Sequence, residues 1–360
     1  MKKLFKILLL VAAVGVGICL VGASFGGKVD PRVWSWPGVL TLTLTFWGVA
    51  LAVITLLAAV TRSWSTLVVC VLAWVCSYSG VKAVSPFNAQ LDASADADIF
   101  SLLTYNVYSL RVYDDETVEG YNPTVAAILA SGASVAALQE CPSLDKAIPS
   151  LGYVDAQVDS LKAVYPYRRF NSDGMAILSR YPVSPIKIKE KPTGTAQFAG
   201  WKINVDGDQV DVYSVHLQSF GFDSNDKQVY RQLTDGDLKH NMSEVRHELL
   251  PKVTHAMRCH ADEGEMIQRI ISADTCRRVI LCGDFNDVPG SYVVNQLQKQ
   301  CSLKGAWAQG GFGPTWTYRS NRFYFHIDQI LYRGMDRPLW TRRLRTGGSD
   351  HFPLQTAFQL

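Results

Sequence analysis

The chain opens with long apolar stretches and changes near residue 98 to short runs in which apolar and polar positions mix. Within its first 85 residues, charges are so sparse that three uncharged runs remain, of 21, 29 and 19 residues. A helix needs roughly 20 predominantly apolar residues to cross the hydrocarbon core of a bilayer. The pattern therefore predicts three membrane-spanning helices, at about 7–27, 38–60 and 63–83.

The residues that flank these spans predict their orientation. Three lysines precede the first span and Arg62 lies between the second and third, which places these positions in the cytoplasm. Lys28 and Arg32 oppose this bias, but they are fewer and Asp30 lies between them. Tryptophans near several span ends are typical of interfacial anchors: Trp34, Trp36, Trp47, Trp64 and Trp74. We expect an integral protein of the plasma or inner membrane whose later residues lie on the extracytoplasmic side.

The first span has a second interpretation. Lysines followed by an apolar stretch and by Ala23-Ser24, a candidate cleavage position, also fit a secretory signal peptide. Two further spans follow immediately, which favours a retained bundle. We expect residues 1–85 to form a membrane anchor, 86–97 a linker, and 98–360 a separate globular domain.

The globular part shows the pattern of alternating strands and helices. Asn122-Pro123 is typical of a helix start, with Asn as the N-cap and Pro in the first turn. Asp206-Gly207 between two apolar runs predicts a hairpin. Strands are predicted at 99–106, 135–140, 175–179, 203–205, 210–215, 279–282, 323–332 and 353–360. This mixture indicates an α/β fold in which a two-sheet β-sandwich is flanked by helices.

Composition narrows the class of protein. The chain is 48% hydrophobic and 19% charged, enough apolar side chain to offset the entropy of ordering a core, so a disordered chain is excluded. The net charge of +3 divides into +6 for residues 1–85 and −3 for the remainder. The globular part thus lacks the strongly basic charge typical of a nucleic-acid-binding domain.

Polar residues collect where the predicted strands end. Each alone is weak evidence, because a single Asp after a strand is usually a turn former. Several together, at the ends of different strands, predict one concave rim where their side chains converge. The positions are Asn106, Glu140, His216, Asp284, Asn286, Asp328, Asp350 and His351.

The segments around these positions resemble the endonuclease/exonuclease/phosphatase superfamily over about residues 98–360. The matching motifs, in the family's order, are Leu103-Thr104-Tyr105-Asn106, Leu138-Gln139-Glu140, 174–180, Val215-His216-Leu217, 283–287, 327–331 and 349–354. The resemblance implies a four-layer, deoxyribonuclease-like sandwich. It is specific for fold and reaction type but not for substrate.

The resemblance also implies a cofactor. The family hydrolyses phosphate esters with a divalent metal, usually Mg²⁺, with Mn²⁺ as an alternative. Mg²⁺ prefers hard oxygen ligands and keeps several waters, so one or two carboxylates suffice. By resemblance, Glu140 is the central ligand, supported by Asn106 and Asp350.

The remaining motif residues are implied to carry the chemistry. His351, paired with Asp328 or with its sequence neighbour Asp350, would activate the attacking water or bind the phosphate. Asp284 is the other candidate for positioning the nucleophile, and Asn286 would donate hydrogen bonds to a phosphoryl oxygen. His216 matches the histidine that contacts the phosphate or protonates the leaving group.

Three alternatives for function remain open. The leading hypothesis is a membrane-anchored, metal-dependent phosphodiesterase, including an endo- or exonuclease acting on nucleic acid. A phospholipid or inositol-phosphate phosphoesterase of the same superfamily is the second, and a non-catalytic, membrane-tethered binding module is the third. The expected partners are the phosphate-ester substrate and the lipid bilayer, and no protein partner is predicted.

The stretch 244–273 is predicted to be helical, with a break near Gly264. Histidines in and before it do not form a metal-binding set, so we expect them on solvated helix faces: His240, His247, His255 and His260. Cys259 and Cys276 flank a helical stretch and are candidates for a disulfide outside the cytoplasm.

Overall fold

A computed structural model describes residues 2–94, 98–113, 120–190, 192, 194–222, 226, 243–320, 323–345 and 348–360. Its α-helices are α1 (Lys2–Gly26), α2 (Trp36–Leu42), α3 (Leu44–Val60), α4 (Trp64–Val84), α5 (Pro123–Ala130), α6 (Asp155–Val164), α7 (Leu250–Ala273), α8 (Tyr292–Gln300) and α9 (Ala306–Gly310). A π-helical turn, Val245–Leu249, leads into α7.

The strands include all the predicted runs and several that were not predicted. They are β1 (Ile99–Asn106), β2 (Val135–Gln139), β3 (Tyr167–Phe170), β4 (Ala176–Ser179), β5 (Val183–Pro185), β6 (Gln197–Val205), β7 (Asp208–His216), β8 (Arg278–Asp284), β9 (Lys304–Gly305), β10 (Tyr318–Ser320), β11 (Phe323–Phe325), β12 (Asp328–Arg333), β13 (Trp340–Arg343) and β14 (Leu354–Gln359).

These strands form two six-stranded mixed sheets that face each other. The first sheet has the order β13-β14-β1-β2-β4-β3 and the second β5-β6-β7-β8-β12-β9, while β10 and β11 form a separate ribbon. Apolar side chains of both inner faces interdigitate; Leu102 and Ile177 of the first sheet and Val212 and Ile280 of the second are fully buried there. The fold class predicted from the sequence is confirmed.

Helices cover the outer face of each sheet. Against the first sheet, α5 and α6 bury Ile128 and Leu161, and against the second, α7 and α8 bury Ile267 and Leu297. The result is four layers in the order helix, sheet, sheet, helix. Strands of both sheets therefore end at the same edges of one sandwich.

The N-terminal helices form their own apolar cluster, built on Leu20, Leu51 and Cys70. Among the described residues, α1 and α4 are long and apolar enough to cross a membrane, and α2 with α3 make a third candidate if the bent pair is one span. The bend of 61° falls at Thr43, whose hydroxyl donates to the Leu40 carbonyl. The middle predicted span is therefore interrupted.

Two local predictions from turn chemistry agree with the structure. Asn122 caps α5, because its side-chain oxygen accepts a hydrogen bond from the amide of Val125 at 3.1 Å. Its amide group also donates to the carbonyls of Leu110 and Leu151, so the residue joins three segments. β6 and β7 pair across the turn at 206–207.

Other local expectations are wrong, for reasons of tertiary structure. Helix α7 continues through Gly264, because the residue provides close packing rather than a break: a Cβ there would lie 2.8 Å from Val293 Cγ2 of α8. The strand expected at 323–332 divides into β11 and β12, and at the division the amides of Ile327 and Asp328 both donate to Thr317 Oγ1. All cysteines are free, including Cys259 and Cys276.

Residues 86–94, expected as a linker, lie along the globular part. Phe87 forms an antiparallel bridge with Phe312, and the amide of Leu91 donates to the carbonyl of Leu339. Backbone hydrogen bonds thus fix the path of the chain between α4 and β1.

Because β7 and β8 pair closely at Gly283, a methyl group added at this residue should strongly lower the free energy of unfolding. Gly283 has φ +136°, and a Cβ there would lie 2.0 Å from the carbonyl oxygen of Val215. We expect Gly283→Ala to lower the free energy of unfolding by about 4 kcal/mol or more, since backbone strain and steric overlap add. Gly207, with φ +103° but open space around it, is the matched control, and Gly207→Ala should cost only the strain of about 1–3 kcal/mol. Equal losses in urea unfolding would contradict this account.

Candidate active site

One row of residues across the second sheet defines the base of the site. β7 and β8 are parallel with His216 opposite Asp284, and β12 is antiparallel to β8 with Asp328 opposite the same Asp284. The register of three neighbouring strands therefore brings an imidazole and two carboxylates to one edge of the sheet.

The first sheet contributes from the facing edge. Asn106 ends β1 and Glu140 directly follows β2, its parallel neighbour. The Asn106 amide nitrogen donates to Glu140 Oε1 at 3.0 Å and to Asp284 Oδ2 at 3.1 Å, so a single side chain connects the two sheets. Glu140 has φ +49°, an uncommon conformation for a residue other than glycine, which turns its side chain off the strand.

Two imidazoles lie on either side of the Asp284 carboxylate. Asp284 Oδ2 is 3.6 Å from His216 Nε2 and 3.5 Å from His351 Nε2. His216 Nε2 is also 3.8 Å from Glu140 Oε1. Asp284 is 1% exposed and the Glu140 side chain 34%, so the acid pair runs from the interior of the sandwich to its surface.

His351 is oriented by the acid that begins β12. Its Nδ1 lies 2.9 Å from Asp328 Oδ2, and both side chains are buried. This contact selects Asp328, not the neighbouring Asp350, as the hydrogen-bond partner. Burial disfavours the charged imidazole, but Asp328, Asp284 and Asp350 outweigh it and raise the pKa of His351 to about 10. The surrounding carboxylates therefore favour the protonated form of His351.

Asp350 belongs to the same acidic group, but among the hydrogen bonds and ion pairs of the described residues the side-chain partner of His351 Nδ1 is Asp328. Burial, together with the charges of Glu140 and Asp284, raises its pKa above the ordinary value. Ser349 fixes this loop, because its hydroxyl donates to the Asn106 carbonyl and accepts from the His351 amide. The final loop is thus tied to the end of β1.

Asn286 lies at the rim but is engaged by the protein. Its backbone amide donates to Asp284 Oδ1 at 2.9 Å, and its side-chain amide donates to the carbonyl of Leu217 at 3.0 Å. Its φ of +48° marks a second strained position beside Glu140. One hydrogen of the side-chain NH₂ remains for a ligand.

The site has the donors that a hard divalent cation requires. One ligand atom each from Asp284, Asp328 and His351 lies within 4.8 Å of the others. The Asp328–His351 hydrogen bond occupies one of those acids, whereas Glu140 and Asp284 each accept a hydrogen bond from the Asn106 side chain. The group of Asp284, Asp328 and His351 could therefore hold a metal ion.

One polar cluster next to the site was not predicted from the sequence. His260 of α7 is 1% exposed, with Nδ1 3.1 Å from Asp287 Oδ2 and Nε2 2.7 Å from the Gln218 carbonyl. Burial opposes its charged form, but Asp287 and the Gln218 carbonyl outweigh burial and raise its pKa. The expectation of a solvated face holds for His247 and His255, is wrong for His260, and falls outside the described residues for His240.

A signal for this burial was present in the sequence. His260 shares helical spacing with the buried residues Val253, Met257, Gly264 and Ile267. Positions three or four apart lie on one helix face, so a polar residue within an apolar stripe predicts a buried partner.

An α/β sandwich of four layers that gathers acids and imidazoles at one end of both sheets is the deoxyribonuclease-like class of fold. The Endonuclease/Exonuclease/phosphatase family profile matches residues 103–351. Because that match covers more than half of the chain, the protein belongs to this family. Its members are generally hydrolases of phosphoester bonds and depend on divalent metals.

Several solved structures are similar to the chain. SmcL is 15% identical over 73% of this chain and 99% of its own, with TM-score 0.48. TDP2 of D. rerio, complexed with single-strand DNA product, is 17% identical over 73% and 100%, with TM-score 0.47. An endonuclease/exonuclease/phosphatase of Beutenbergia cavernae DSM 12333 is 18% identical over 73% and 72%, with TM-score 0.46. No curated protein sequence matches the chain.

His260 is buried and His255 is exposed on the same helix α7, so their replacement by alanine should change the free energy of unfolding by different amounts. His260→Ala should lower the free energy of unfolding by about 3–5 kcal/mol, because the Asp287 carboxylate would stay buried without its partner. His255→Ala, on the exposed face of the same helix, should change it by less than about 0.5 kcal/mol. Urea unfolding followed by circular dichroism measures both, and a small effect of His260→Ala would contradict the buried pair.

Proposed function

We propose that this protein is a membrane-anchored, metal-dependent phosphodiesterase. The observation that carries the proposal is the meeting of Asn106, Glu140, His216, Asp284 and His351, from both sheets, around one carboxylate. Polar residues that only terminate strands would form hydrogen bonds at each strand end separately. Here, residues with strained backbones and buried polar side chains lie together at one opening.

In this proposal Glu140 is the principal metal ligand, because its carboxylate is the accessible one of the group. Asp350 supports it through its charge. The Asn106 side chain donates its NH₂ group to both acids. It can bind a cation directly only if the amide rotates so that its oxygen faces the acids; otherwise it spaces Glu140 from Asp284. A bound Mg²⁺ or Mn²⁺ supplies polarisation of the phosphoryl oxygen and neutralises charge on the leaving oxygen.

The protein's own groups are assigned to the remaining tasks. His351, held by Asp328, binds a non-bridging phosphoryl oxygen as an imidazolium. Asp284 accepts a hydrogen bond from the attacking water and orients it, and His216, close to both Glu140 and Asp284, donates a proton to the leaving oxygen. The free hydrogen of Asn286 completes the contacts to the phosphoryl group.

A rim of arginine and aromatic residues beside His351 favours an anionic ester as substrate. The Arg343 guanidinium lies 4.6 Å from the Trp316 ring centroid and 4.5 Å from that of Phe352. Arg319 lies 5.1 Å from the same Phe352 ring. Such stacked guanidinium groups bind phosphates and flat rings alike, which suits nucleic acid and phospholipid headgroups equally.

The N-terminal helices are proposed to be the membrane anchor. Lys6 donates to the Arg62 carbonyl, so the N-terminus and the α3–α4 turn share one end of the helices. Arg32 and Val84 contact the globular part at the other end. With the basic end in the cytoplasm, the site lies on the extracytoplasmic side.

The catalytic proposal predicts loss of turnover in two variants. Glu140→Gln and His351→Ala should each lower kcat at least about 100-fold, since each removes a group that acts on the phosphoryl transfer. Glu190→Gln, at an exposed ion pair with Arg269, is the control and should leave kcat unchanged. The assay uses the detergent-solubilised full chain with plasmid DNA, sphingomyelin and inositol phosphates, in Mg²⁺ and in chelator.

Metal binding has a readout of its own. Mg²⁺ should raise the melting temperature of the wild type and of Glu190→Gln, and raise it less in Glu140→Gln. A folded wild type that cleaves none of the substrates in the presence of Mg²⁺ would support the binding-module alternative. Cleavage of one substrate class alone would choose between nuclease and lipid phosphodiesterase.

The orientation of the anchor predicts opposite results at two fusion points. A reporter that is active only outside the cytoplasm should be active after Leu360 and inactive after Arg62. N-terminal sequencing of the membrane fraction should find residues before Ala23-Ser24 retained. An inactive reporter at Leu360 would place the site in the cytoplasm.

A further inference from the structure

Helix α7 lies between the anchor and the site, and one of its faces belongs to the anchor. Asp262 and Glu265 are three residues apart, so they share that face. Arg32 Nη1 lies 2.9 Å from Asp262 Oδ1, and Nη2 lies 2.5 Å from Glu265 Oε1. Asp30 holds the same guanidinium at 2.7 Å. A single anchor side chain is thus bound by three carboxylates.

Helix α8 is held by the same anchor segment. Tyr292 donates its hydroxyl to Asp30 Oδ2 at 3.2 Å, and Asn295 donates its side-chain amide to the Gly27 carbonyl at 3.1 Å. A Cβ on Gly27 would lie 1.8 Å from the carbonyl oxygen of Gly290. The backbones of the anchor and of the loop before α8 are therefore in direct contact.

The other face of α7 holds the segment after β7. His260 Nε2 contacts the Gln218 carbonyl at 2.7 Å, and the Gln218 amide donates to Glu263 Oε2 at 3.2 Å. Both side chains are about 2% exposed or less. Both backbone polar groups of Gln218 are thus fixed by buried side chains of one helix.

Gln218 lies two residues after His216. Between them, the Leu217 amide donates to the Asp284 carbonyl at 2.9 Å, and its carbonyl accepts from the Asn286 side chain at 3.0 Å. A shift of α7 would therefore move the backbone that sets the distance of His216 from Asp284.

We infer that two anchor residues, Gly27 and Arg32, position the active site: they hold α7 and α8 in place, and α7 holds the backbone that directly follows His216. The inference rests on the proposed function of His216. It makes Arg32 and His260 positioning residues, with no contact to the substrate. Loss of the contacts that Arg32 and Gly27 make with α7 and α8 should lower the rate of the chemical step and leave substrate binding almost unchanged.

The test compares variants of Arg32 and Gly27 with control variants that remove the same charge, or add the same methyl group, at another position. Arg32→Ala and Gly27→Ala should each lower kcat roughly tenfold with KM changed less than about twofold, since displacement of a catalytic group by about an ångström can cost up to 100-fold. Lys28→Ala removes the same charge from the same loop, where Lys28 lies over the Phe25 ring. Gly15→Ala adds a methyl group to α1 where nothing lies within 4 Å. Both controls should leave kcat unchanged.

A charge exchange separates positioning from loss of folding. Arg32→Glu should lower kcat, and its combination with Glu265→Arg should restore part of it by re-forming one ion pair of opposite polarity. Arg32→Lys should also retain part of the rate, because a cationic hydrogen-bond donor group remains at this position. Recovery in these variants would not follow if Arg32→Ala merely unfolded the chain.

Amide hydrogen exchange gives a readout that is independent of turnover. Exchange at 217–218 should be faster in Arg32→Ala and Gly27→Ala than in the wild type and in both controls. Unchanged exchange there, with kcat also unchanged, would overturn the inference. If the wild type cleaves no substrate at all, the proposed function fails. The exchange result alone then still decides whether the anchor holds residues 217–218 in place.

Discussion

The carboxylate of Asp284 is the constraint on which the site end of the fold depends. It is buried between the sheets, where an ionised group without partners would cost several kcal/mol. Asn106 reaches it from the opposite sheet, the Asn286 amide donates to it, and the imidazoles of His216 and His351 flank it. The contacts that satisfy this group therefore also join the two sheets at the site.

Much of this arrangement was predictable because it is local or follows from strand register. The apolar run of β8 predicts a buried strand that ends at Asp284, and an equally clear run ends at His216. Parallel neighbours end at the same edge, so the order of polar strand ends predicts a shared rim. The choice of Asp328 over Asp350 as the partner of His351 was not predictable. It depends on the path of the loop tied by Ser349 to β1, which no local pattern specifies.

Where prediction from the sequence failed, a contact distant in the chain decided the outcome. Gly264 has the lower helix propensity that favours a break, but its missing side chain lets α8 approach. His260 falls on the apolar stripe of α7, which predicts burial, yet its partner Asp287 belongs to another element and is 27 residues away. The run 323–332 was predicted as one strand, but at its middle the amides of Ile327 and Asp328 donate to Thr317, a residue of the preceding segment.

The contact between Arg32 and α7 also accounts for a charge that the membrane pattern leaves unexplained. Basic residues favour the cytoplasmic side, and a cationic side chain on the opposite side weakens the orientation signal. In the folded chain Arg32 is bound by three carboxylates, two of them on α7, so its charge has a role in docking. An exposed ion pair contributes little alone, but a guanidinium shared by three acids next to the glycine contact at Gly27 defines one relative placement of anchor and domain. Such a placement fixes the opening of the site relative to the N-terminal helices.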